Sequence, residues 1–536
     1  MDTMAGTLTE LLESQSRALP DHEAIVFPGS RTTYAGLVAR ADVIAERLRA
    51  EGVERGDRVG ILLNASTDYV AAIFGIVKLG AVAVPINARF RQAQIKHVVV
   101  HSGMKVLISE APLPGAPDFP QLLAEAFPAY DKSWGRVDFS EAPELQAIVE
   151  VPQGTAAGAV PSAEVKPEDT ALLVYTSGTT SAPKGAMLSH RALLLVAQAL
   201  RTRMRITSSD RIWTAIPMFH GGGIDYMLGS VAGGATFVHP GYFDVDRSLE
   251  MLSGERITIA LPAFETLWLP LINHPDFAKH DLSAIRVVLS VGVPERLREL
   301  IAALPGATLV NCVAMTEASA FISLSELDEP LESRLETGGK PLPGVECRII
   351  DPDTGKDLPP GEPGELLFRG PNLFSGYFRD EEGTAQAIDA DGWFHTGDVC
   401  RMDAEGRLTF VGRLKDMLKV GGENVAAAEI EEFIAKHPAV EIVQVVAAPD
   451  ARYTEVPAAF IQLKRGATCT EQEIIDFCLG RVAAFHVPRY VRFVTEWPMS
   501  GTKIRKVDLR KAIADELRER GITMAPKLPS RWAARK

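Results

Sequence analysis

Cysteine is scarce in this chain of 536 residues, and the few cysteines lie far apart. They are Cys312, Cys347, Cys400, Cys469 and Cys478. No Cys-x-x-Cys pair occurs, so the pattern indicates neither a disulfide framework nor a zinc site. This scarcity is typical of a reducing compartment, and we expect a cytoplasmic protein.

The chain also lacks a long hydrophobic run without charge. The run that comes nearest, residues 69–86, contains Lys78 near its centre and then Gly80 and Pro85. It therefore predicts a buried helix, a tight turn and a buried strand instead of a membrane span. The first residues are acidic and carry no long apolar stretch, so we expect no signal peptide.

An excess of positive charge is missing as well. The formal net charge is −13, which argues against a nucleic-acid surface covering the protein. Hydrophobic residues make up 46% and charged residues 23%, an ordinary composition for a soluble globular protein. The length suggests about two to four domain-sized units.

What is present is an alternation of short apolar runs with helical patterns. It predicts parallel strands with crossover helices, and hence an α/β fold. The strand-like runs include residues 58–63, 81–85, 211–216, 236–239, 257–261 and 287–290. After Gly338 short strands with Pro/Gly turns predict a β-rich subdomain, and a further α/β unit begins near Gly412.

The segment from Tyr175 to His190 is the most informative part of the chain. It reads Tyr-Thr-Ser-Gly-Thr-Thr-Ser-Ala-Pro-Lys-Gly-Ala-Met-Leu-Ser-His and follows an apolar strand. Small hydroxyl residues and glycine let backbone N–H groups turn toward an anion, and Lys184 adds a positive charge. A Walker A loop is excluded because Pro-Lys-Gly stands where Gly-Lys-Ser/Thr is required. The segment predicts a site for a triphosphate that leaves as pyrophosphate.

This signature resembles that of the adenylate-forming superfamily, which includes the acyl-CoA synthetases. Further marks of the resemblance are Gly56-Asp-Arg-Val59, Gly80-Ala-Val-Ala-Val-Pro-Ile-Asn87, Trp393-Phe-His-Thr-Gly-Asp398 and Gly412-Arg-Leu-Lys-Asp416. The resemblance implies a large N-terminal domain of stacked α/β sheets over residues 1–411, with the β-rich subdomain at 338–411. A hinge at 412–416 and a small mobile α/β domain over 417–536 would follow.

The resemblance also implies a binding site for ATP, Mg²⁺ and coenzyme A. In the phosphate loop it points to Thr176, Ser177, Gly178, Thr179, Thr180 and Lys184. Thr316 would contact the α-phosphate and Glu317 would hold the metal, since Mg²⁺ favours hard oxygen ligands. Two adenine-binding segments depart from the family pattern, and they are Gly292, Val293 and Pro294 together with Val313, Ala314 and Met315. We therefore expect an adenine wall of altered shape.

By the same resemblance, Asp398 accepts hydrogen bonds from the ribose hydroxyls and Arg413 donates to them. A structural ion pair between these two residues is the alternative. His220, which opens a glycine-rich turn, would gate the carboxylate site, and a histidine with a structural role in the core is its alternative. The small residues Gly222, Gly223 and Ala314 hint at a roomy acyl pocket.

The C-terminal unit carries the remaining implied residues. Lys415 marks the hinge, and Lys419, Gly421, Gly422 and Glu423 would line the pantetheine tunnel. Lys503 matches the lysine that bridges the substrate carboxylate and the α-phosphate. The glycine that normally precedes this lysine is absent, so Lys506 remains a second candidate.

The sequence thus predicts an ATP-dependent ligase that joins a carboxylic acid to coenzyme A through an acyl-adenylate. The acid is a medium-chain, long-chain, aromatic or polycyclic one. The alternatives are a carrier-protein-loading adenylation enzyme, a luciferase-like oxygenase and a nucleotide-binding relative without catalysis. A homodimer is expected only because it is the commonest oligomer.

Overall fold

A computed structural model describes residues 6–156, 158–176, 183–420, 423–500 and 503–528. In chain order the helices are α1 (Leu8–Ala18), α2 (Tyr34–Ala50), α3 (Thr67–Lys78), α4 (Gln92–Ser102), α5 (Phe119–Ala126), α6 (His190–Arg203), α7 (Gly221–Ala232), α8 (Val245–Gly254), α9 (Glu265–Ile272), α10 (Pro294–Ala303), α11 (Leu331–Glu336), α12 (Glu381–Ala387), α13 (Ala427–Ala435), α14 (Glu471–Cys478) and α15 (Lys506–Glu519).

The strands of the large N-terminal part come first. They are β1 (Glu23–Phe27), β2 (Ser30–Thr33), β3 (Arg58–Leu62), β4 (Val82–Pro85), β5 (Val106–Ser109), β6 (Gly135–Arg136), β7 (Ala147–Glu150), β8 (Thr170–Thr176), β9 (Lys184–Ser189), β10 (Arg211–Trp213), β11 (Thr236–Val238), β12 (Ile259–Ala263), β13 (Val287–Ser290), β14 (Thr308–Val310), β15 (Cys312–Met315), β16 (Ala320–Leu324), β17 (Lys340–Pro341), β18 (Glu346–Ile350), β19 (Gly364–Arg369), β20 (Phe394–Met402) and β21 (Leu408–Arg413). Those that follow are β22 (Met417–Val420), β23 (Glu423–Ala426), β24 (Val440–Asp450), β25 (Thr454–Leu463), β26 (Tyr490–Phe493), β27 (Met499–Ser500) and β28 (Lys503–Ile504).

Two seven-stranded sheets form the large part of the molecule. Their strand orders are β14-β13-β12-β10-β11-β1-β2 and β6-β7-β5-β3-β4-β8-β9. Both are parallel at their centres, and antiparallel strands lie at the edges: β2 in the first sheet, and β6 and β9 in the second. The apolar runs of the sequence explain this arrangement, because parallel strands are covered on both faces.

Helices pack between the two sheets. α3 contacts β1 and β2 of the first sheet as well as β3 and β4 of the second. Its residues from Tyr69 to Lys78 are all buried. The Lys78 ammonium is paired with Asp42 at 2.6 Å and with Glu13 at 3.3 Å, which offsets the cost of burying its charge.

The sequence interpretation of residues 69–86 is therefore confirmed as a buried helix, a turn and a buried strand. Gly80 occupies that turn with φ +69°, a conformation that favours glycine. In the described ranges, no helix combines the length and the apolar character needed to cross a bilayer.

The predicted β-rich region is present beyond these sheets. β18 to β21 form an antiparallel four-stranded sheet. The C-terminal unit has its own sheet of β23-β22-β25-β24 with β26 beside β25, and α13, α14 and α15 contact this sheet. The predicted α/β fold class is confirmed, with mostly parallel sheets in the large part and an antiparallel sheet in the β-rich region.

Candidate active site

The two strands that flank the predicted phosphate loop pair with each other. β8 and β9 are antiparallel, with Thr176 opposite Lys184 and Tyr175 opposite Gly185. The loop residues 177–182 lie outside the described residues, and with them the predicted contacts of Ser177, Gly178, Thr179 and Thr180. The hairpin nevertheless fixes both ends of the loop, so Lys184 is the first residue of a paired strand.

Lys184 is held by two groups that the sequence did not indicate. Its Nζ lies 2.9 Å from Asp380 Oδ2 and 4.7 Å from the centre of the Tyr377 ring. The hydrogen bond from Lys184 lowers the pKa of the Asp380 carboxyl. The Lys184 side chain is 41% exposed, so an anion can approach it from solvent.

A segment comprising residues 374–380 joins Lys184 to Glu317. Its backbone pairs with β9, where Ser375 N donates to Met187 O and Phe378 N donates to Gly185 O, both at 2.8 Å. On its other side, the Tyr377 hydroxyl donates to Glu317 Oε1 at 2.8 Å. Phe374 N also donates to the Glu317 carbonyl at 2.8 Å. The predicted phosphate-binding lysine and the predicted metal ligand thus share one support.

Two histidines on α4 contact the two ends of the phosphate loop. His101 Nδ1 lies 2.8 Å from the Tyr175 hydroxyl, and His97 Nε2 lies 2.9 Å from the Pro183 carbonyl. Burial and the neighbouring His97 lower the pKa of His101. The sequence analysis missed this pair, although its spacing of four residues places both rings on one helix face.

Thr316 and Glu317 lie in a short 3-10 turn between β15 and β16. The backbone leaves this turn through Ser319 and Ala320, whose φ values of 49° and 78° are in the left-handed region. Before the turn, Val313 is buried, Ala314 is exposed and Met315 is half-buried, so Ala314 is the residue of this predicted adenine segment that is most open to solvent. In the described ranges, no group of three or more His, Cys, Asp or Glu side chains is placed to hold a metal ion.

Asp398 and Arg413 face each other across β20 and β21. Arg413 Nε lies 3.1 Å from Asp398 Oδ1; the carboxylate is buried and the guanidinium is 42% exposed. The pair brings the two predicted ribose ligands together. It is equally the ion pair that the sequence left open as the alternative.

The second adenine segment lies against a carboxyl group that the sequence did not indicate. Val293 caps α10 and Pro294 is its first residue. A β-carbon at Gly292 would lie 2.9 Å from Glu265 Oε1, so glycine leaves the room that this carboxyl occupies. Burial raises the pKa of Glu265 to about 7, against the lowering effect of Arg296.

His220 caps the N-terminus of α7, where its Nδ1 accepts a hydrogen bond from Gly222 N at 3.1 Å. Its ring stands edge-on to Phe264, with ring centres 6.5 Å apart. Of the glycines that follow, Gly223 serves close packing, because a β-carbon there would lie 2.5 Å from Pro217 O. Its small size therefore does not enlarge the acyl pocket.

The C-terminal unit contacts α10. The buried Arg296 guanidinium donates to Val440 O at 2.8 Å and to Glu441 O at 2.5 Å. Lys436 pairs with Glu295 at 3.1 Å. The helix that begins at the predicted adenine wall therefore also holds the small unit.

Lys506, the second candidate for the lysine role, pairs with Glu431 at 2.6 Å inside the C-terminal unit. Lys419 is exposed, and its N–H donates to Glu455 Oε2 at 2.8 Å. Gly421 and Gly422 lie outside the described residues, as do the side chains of Lys415, Glu423 and Lys503. Their predicted roles stay predictions.

Two family models together match most of the chain. The profile of the AMP-binding enzyme family matches residues 12–378, and that of the AMP-binding enzyme C-terminal domain matches residues 429–503. The medium-chain acyl-CoA ligase ACSF2, mitochondrial, of Bos taurus is 30% identical over 95% of this chain and 88% of its own length.

Two solved structures share the fold over nearly the whole chain. One is the anthranilate CoA ligase AuaEII in complex with anthranoyl-AMP, with a TM-score of 0.85, 28% identity and coverage of 96% of this chain and 98% of that one. The other is ATP-bound MatB from Rhodopseudomonas palustris, with a TM-score of 0.83, 28% identity and coverage of 95% and 99%. The chain therefore belongs to the AMP-binding enzyme family, among its adenylate-forming acyl-CoA synthetases.

Proposed function

We propose that this protein converts a carboxylic acid, ATP and coenzyme A into an acyl-CoA, AMP and pyrophosphate through an acyl-adenylate. The observation that carries the proposal is the shared support of Lys184 and Glu317 by residues 374–380. A cation at the end of a phosphate loop and a carboxylate beside it suit a bound nucleotide triphosphate.

In this proposal Lys184 exchanges its partner when ATP binds. The ammonium leaves Asp380 for the phosphates, and the Tyr377 ring stays beside it. The exchange is inexpensive because a partly exposed ion pair contributes about 0–1 kcal/mol. Asp380 thus keeps Lys184 oriented before the nucleotide arrives.

Glu317 would supply a hard carboxylate oxygen to Mg²⁺, an ion that favours such ligands. When bound, the metal offsets negative charge on the phosphates. Tyr377 holds the Glu317 carboxylate in place through its hydroxyl.

The reaction requires two displacements. A carboxylate oxygen of the acid attacks the α-phosphorus, the bond to the bridging oxygen breaks, and pyrophosphate leaves. The thiolate of coenzyme A then attacks the acyl carbon, and AMP leaves with the bonding electron pair. Lys503 is the proposed cation for the first step, since Lys506 is already paired with Glu431.

The acid is proposed to be a medium-chain, long-chain, aromatic or polycyclic one, and the enzyme to act in the cytoplasm. Relatives named for a medium-chain acid and for anthranilate both support this range.

The test is pyrophosphate release from MgATP with a panel of carboxylic acids, with and without coenzyme A. We expect release with one class of acid, and turnover to AMP that rises when coenzyme A is added. Release that does not respond to coenzyme A would favour carrier loading. ATP binding without release for any acid would favour the non-catalytic relative.

A further inference from the structure

Asp225 is a buried carboxyl group with no partner. It lies in α7, its side chain has an exposed fraction of 0%, and neither carboxyl oxygen has a hydrogen-bond partner among the described residues. Buried polar groups in proteins are nearly always satisfied, so an orphaned carboxyl calls for an explanation. One explanation is a ligand that forms the missing hydrogen bond with the Asp225 carboxyl.

A space adjoins this carboxyl. Gly221 is itself buried. Among the described residues, and apart from its chain neighbours and the helix backbone, the one heavy atom within 4 Å of a β-carbon placed at Gly221 would be Asp225 Oδ2, at 3.7 Å. Two other glycines of α7 are tightly packed, since the nearest atom to such a β-carbon is 2.5 Å away at Gly223 and 3.0 Å away at Gly229; at Gly222 it is 3.4 Å away and belongs to His220. The room beside Gly221 is therefore bordered by a carboxyl oxygen.

The position of this space relates it to the proposed acyl site. His220, the predicted gate for the substrate carboxylate, caps α7 directly before Gly221. Asp225 lies five residues after His220, which corresponds to about 7.5 Å along the helix axis. If the substrate carboxylate binds near His220 as predicted, the space beside Gly221, the next residue of the chain, is within reach of the acyl part.

The next residue of α7, Tyr226, is buried as well. The Tyr226 ring lies 6.0 Å from the Phe321 ring of β16. Burial raises the pKa of the Asp225 carboxyl well above its usual range. Whether protonated or ionised, the group retains an oxygen that accepts a hydrogen bond.

We propose that Asp225 determines specificity by accepting a hydrogen bond from a hydroxyl or amino group on the acyl part of the substrate. The inference rests on the proposed ligase function and names the class of acid within it. A plain alkyl chain fills the same space but leaves the carboxyl unpaired, and sites built around such a bond reject analogues that lack the donor.

The experiment uses the full chain and matched acids of equal carbon number. One series is unsubstituted, one carries a hydroxyl group and one an amino group, with the substituent moved along the chain. The kcat/KM for coenzyme A-dependent AMP formation is measured for each acid. We expect a donor at one position to raise kcat/KM by about 100-fold or more over the unsubstituted acid. The hydroxyl and amino series then distinguish the two kinds of donor.

The Asp225→Leu variant removes the acceptor at similar size. We expect it to abolish the preference and to use the unsubstituted acid at least as well as the wild type does. Asp225→Asn, which keeps a polar group of the same shape, should retain part of the preference and serves if the leucine variant does not fold. Ser230→Ala is the matched control, because this buried hydroxyl of α7 already donates to Tyr226 O at 2.8 Å. Its preference should equal that of the wild type.

Two results would overturn the inference. If Asp225→Leu and Asp225→Asn lower kcat/KM for all acids by the same factor, Asp225 has only a structural role. If the wild type uses unsubstituted and donor-bearing acids equally, the ligase proposal stands and the Asp225 inference fails. The absence of pyrophosphate release with every acid would overturn both.

Discussion

Tyr377 connects the two charged groups of the candidate site, because its ring contacts Lys184 and its hydroxyl binds Glu317. Tyr377→Phe keeps the ring and removes only the hydrogen bond. Hydrogen bonds to charged groups contribute about 1.5–3 kcal/mol. We therefore expect adenylation to fall by about 10-fold or more and to require more Mg²⁺, measured as pyrophosphate release against Mg²⁺ concentration.

Tyr34→Phe is the matched control for this prediction. The Tyr34 hydroxyl donates to Ala235 O at 2.7 Å in the core, away from the candidate site. This variant should lose thermal stability without changing its Mg²⁺ requirement. An unchanged Mg²⁺ requirement in Tyr377→Phe would show that the tyrosine does not position Glu317.

Glu265 gives a prediction about pH. Burial raises the pKa of its carboxyl from the usual 4.5 to about 7 in the folded protein. The folded state thus holds this proton more tightly than the unfolded state does. The stabilisation is complete below about pH 4.5 and is lost as the pH rises through about 7.

Glu265→Gln stays neutral at every pH and escapes this loss. The difference between the melting temperature of the variant and that of the wild type should therefore increase by a few degrees from pH 5 to pH 8. The measurement is thermal unfolding of both proteins across this range. A constant difference between the two would contradict a raised pKa at Glu265.

At the scale of elements, α10 connects two parts of the site. Its first turn is the predicted adenine wall, and Arg296 binds the carbonyls of Val440 and Glu441 at the start of β24. Arg296→Met removes a buried charge together with its hydrogen bonds to these two carbonyls. Removing one partner of a buried, hydrogen-bonded charged group costs about 2–5 kcal/mol.

We expect Arg296→Met to loosen the small unit, so that amide hydrogens of α13 and β24 exchange at least 10-fold faster. Arg298→Met is the control on the same helix, because Arg298 pairs with Glu332 of the large part. Its exchange in α13 and β24 should match the wild type. Equal protection in both variants would mean that the Arg296 contact does not hold the small unit.

The elements of this molecule could be predicted from sequence where the local pattern decides them. The helix and strand within residues 69–86 are an example, since an apolar run broken by Gly80 has few alternatives. The sequence does not predict β9, because a strand of mixed composition forms there by pairing with β8 on one side and with residues 374–380 on the other. The family motif named Lys184 and Glu317, but Tyr377 and Asp380 are distant in sequence and meet them only through the tertiary fold.

At the scale of the whole molecule, the proposed reaction needs a lysine of the small unit to reach the candidate site in the large unit. Lys503 and Lys506 are the two candidates. Lys506 pairs with Glu431, which also accepts the Val445 N–H at 2.6 Å, so its ammonium has a structural function within the small unit. Lys503 precedes it on the hairpin of β27 and β28.

Lys503→Ala should therefore lower adenylation by about 100-fold or more, as expected when a cation that stabilises transition-state charge is removed. Thioester formation from pre-made acyl-adenylate should be largely spared, because that step does not create the same charge at phosphorus. Lys506→Ala should lower thermal stability and leave the ratio of the two half-reactions near that of the wild type. Both half-reactions are measured separately, by pyrophosphate release and by acyl-CoA formation. A selective loss of adenylation in Lys506→Ala, with Lys503→Ala unaffected, would transfer the role to Lys506. Equal loss of both steps in Lys503→Ala would mean that neither step depends on this lysine in the proposed way.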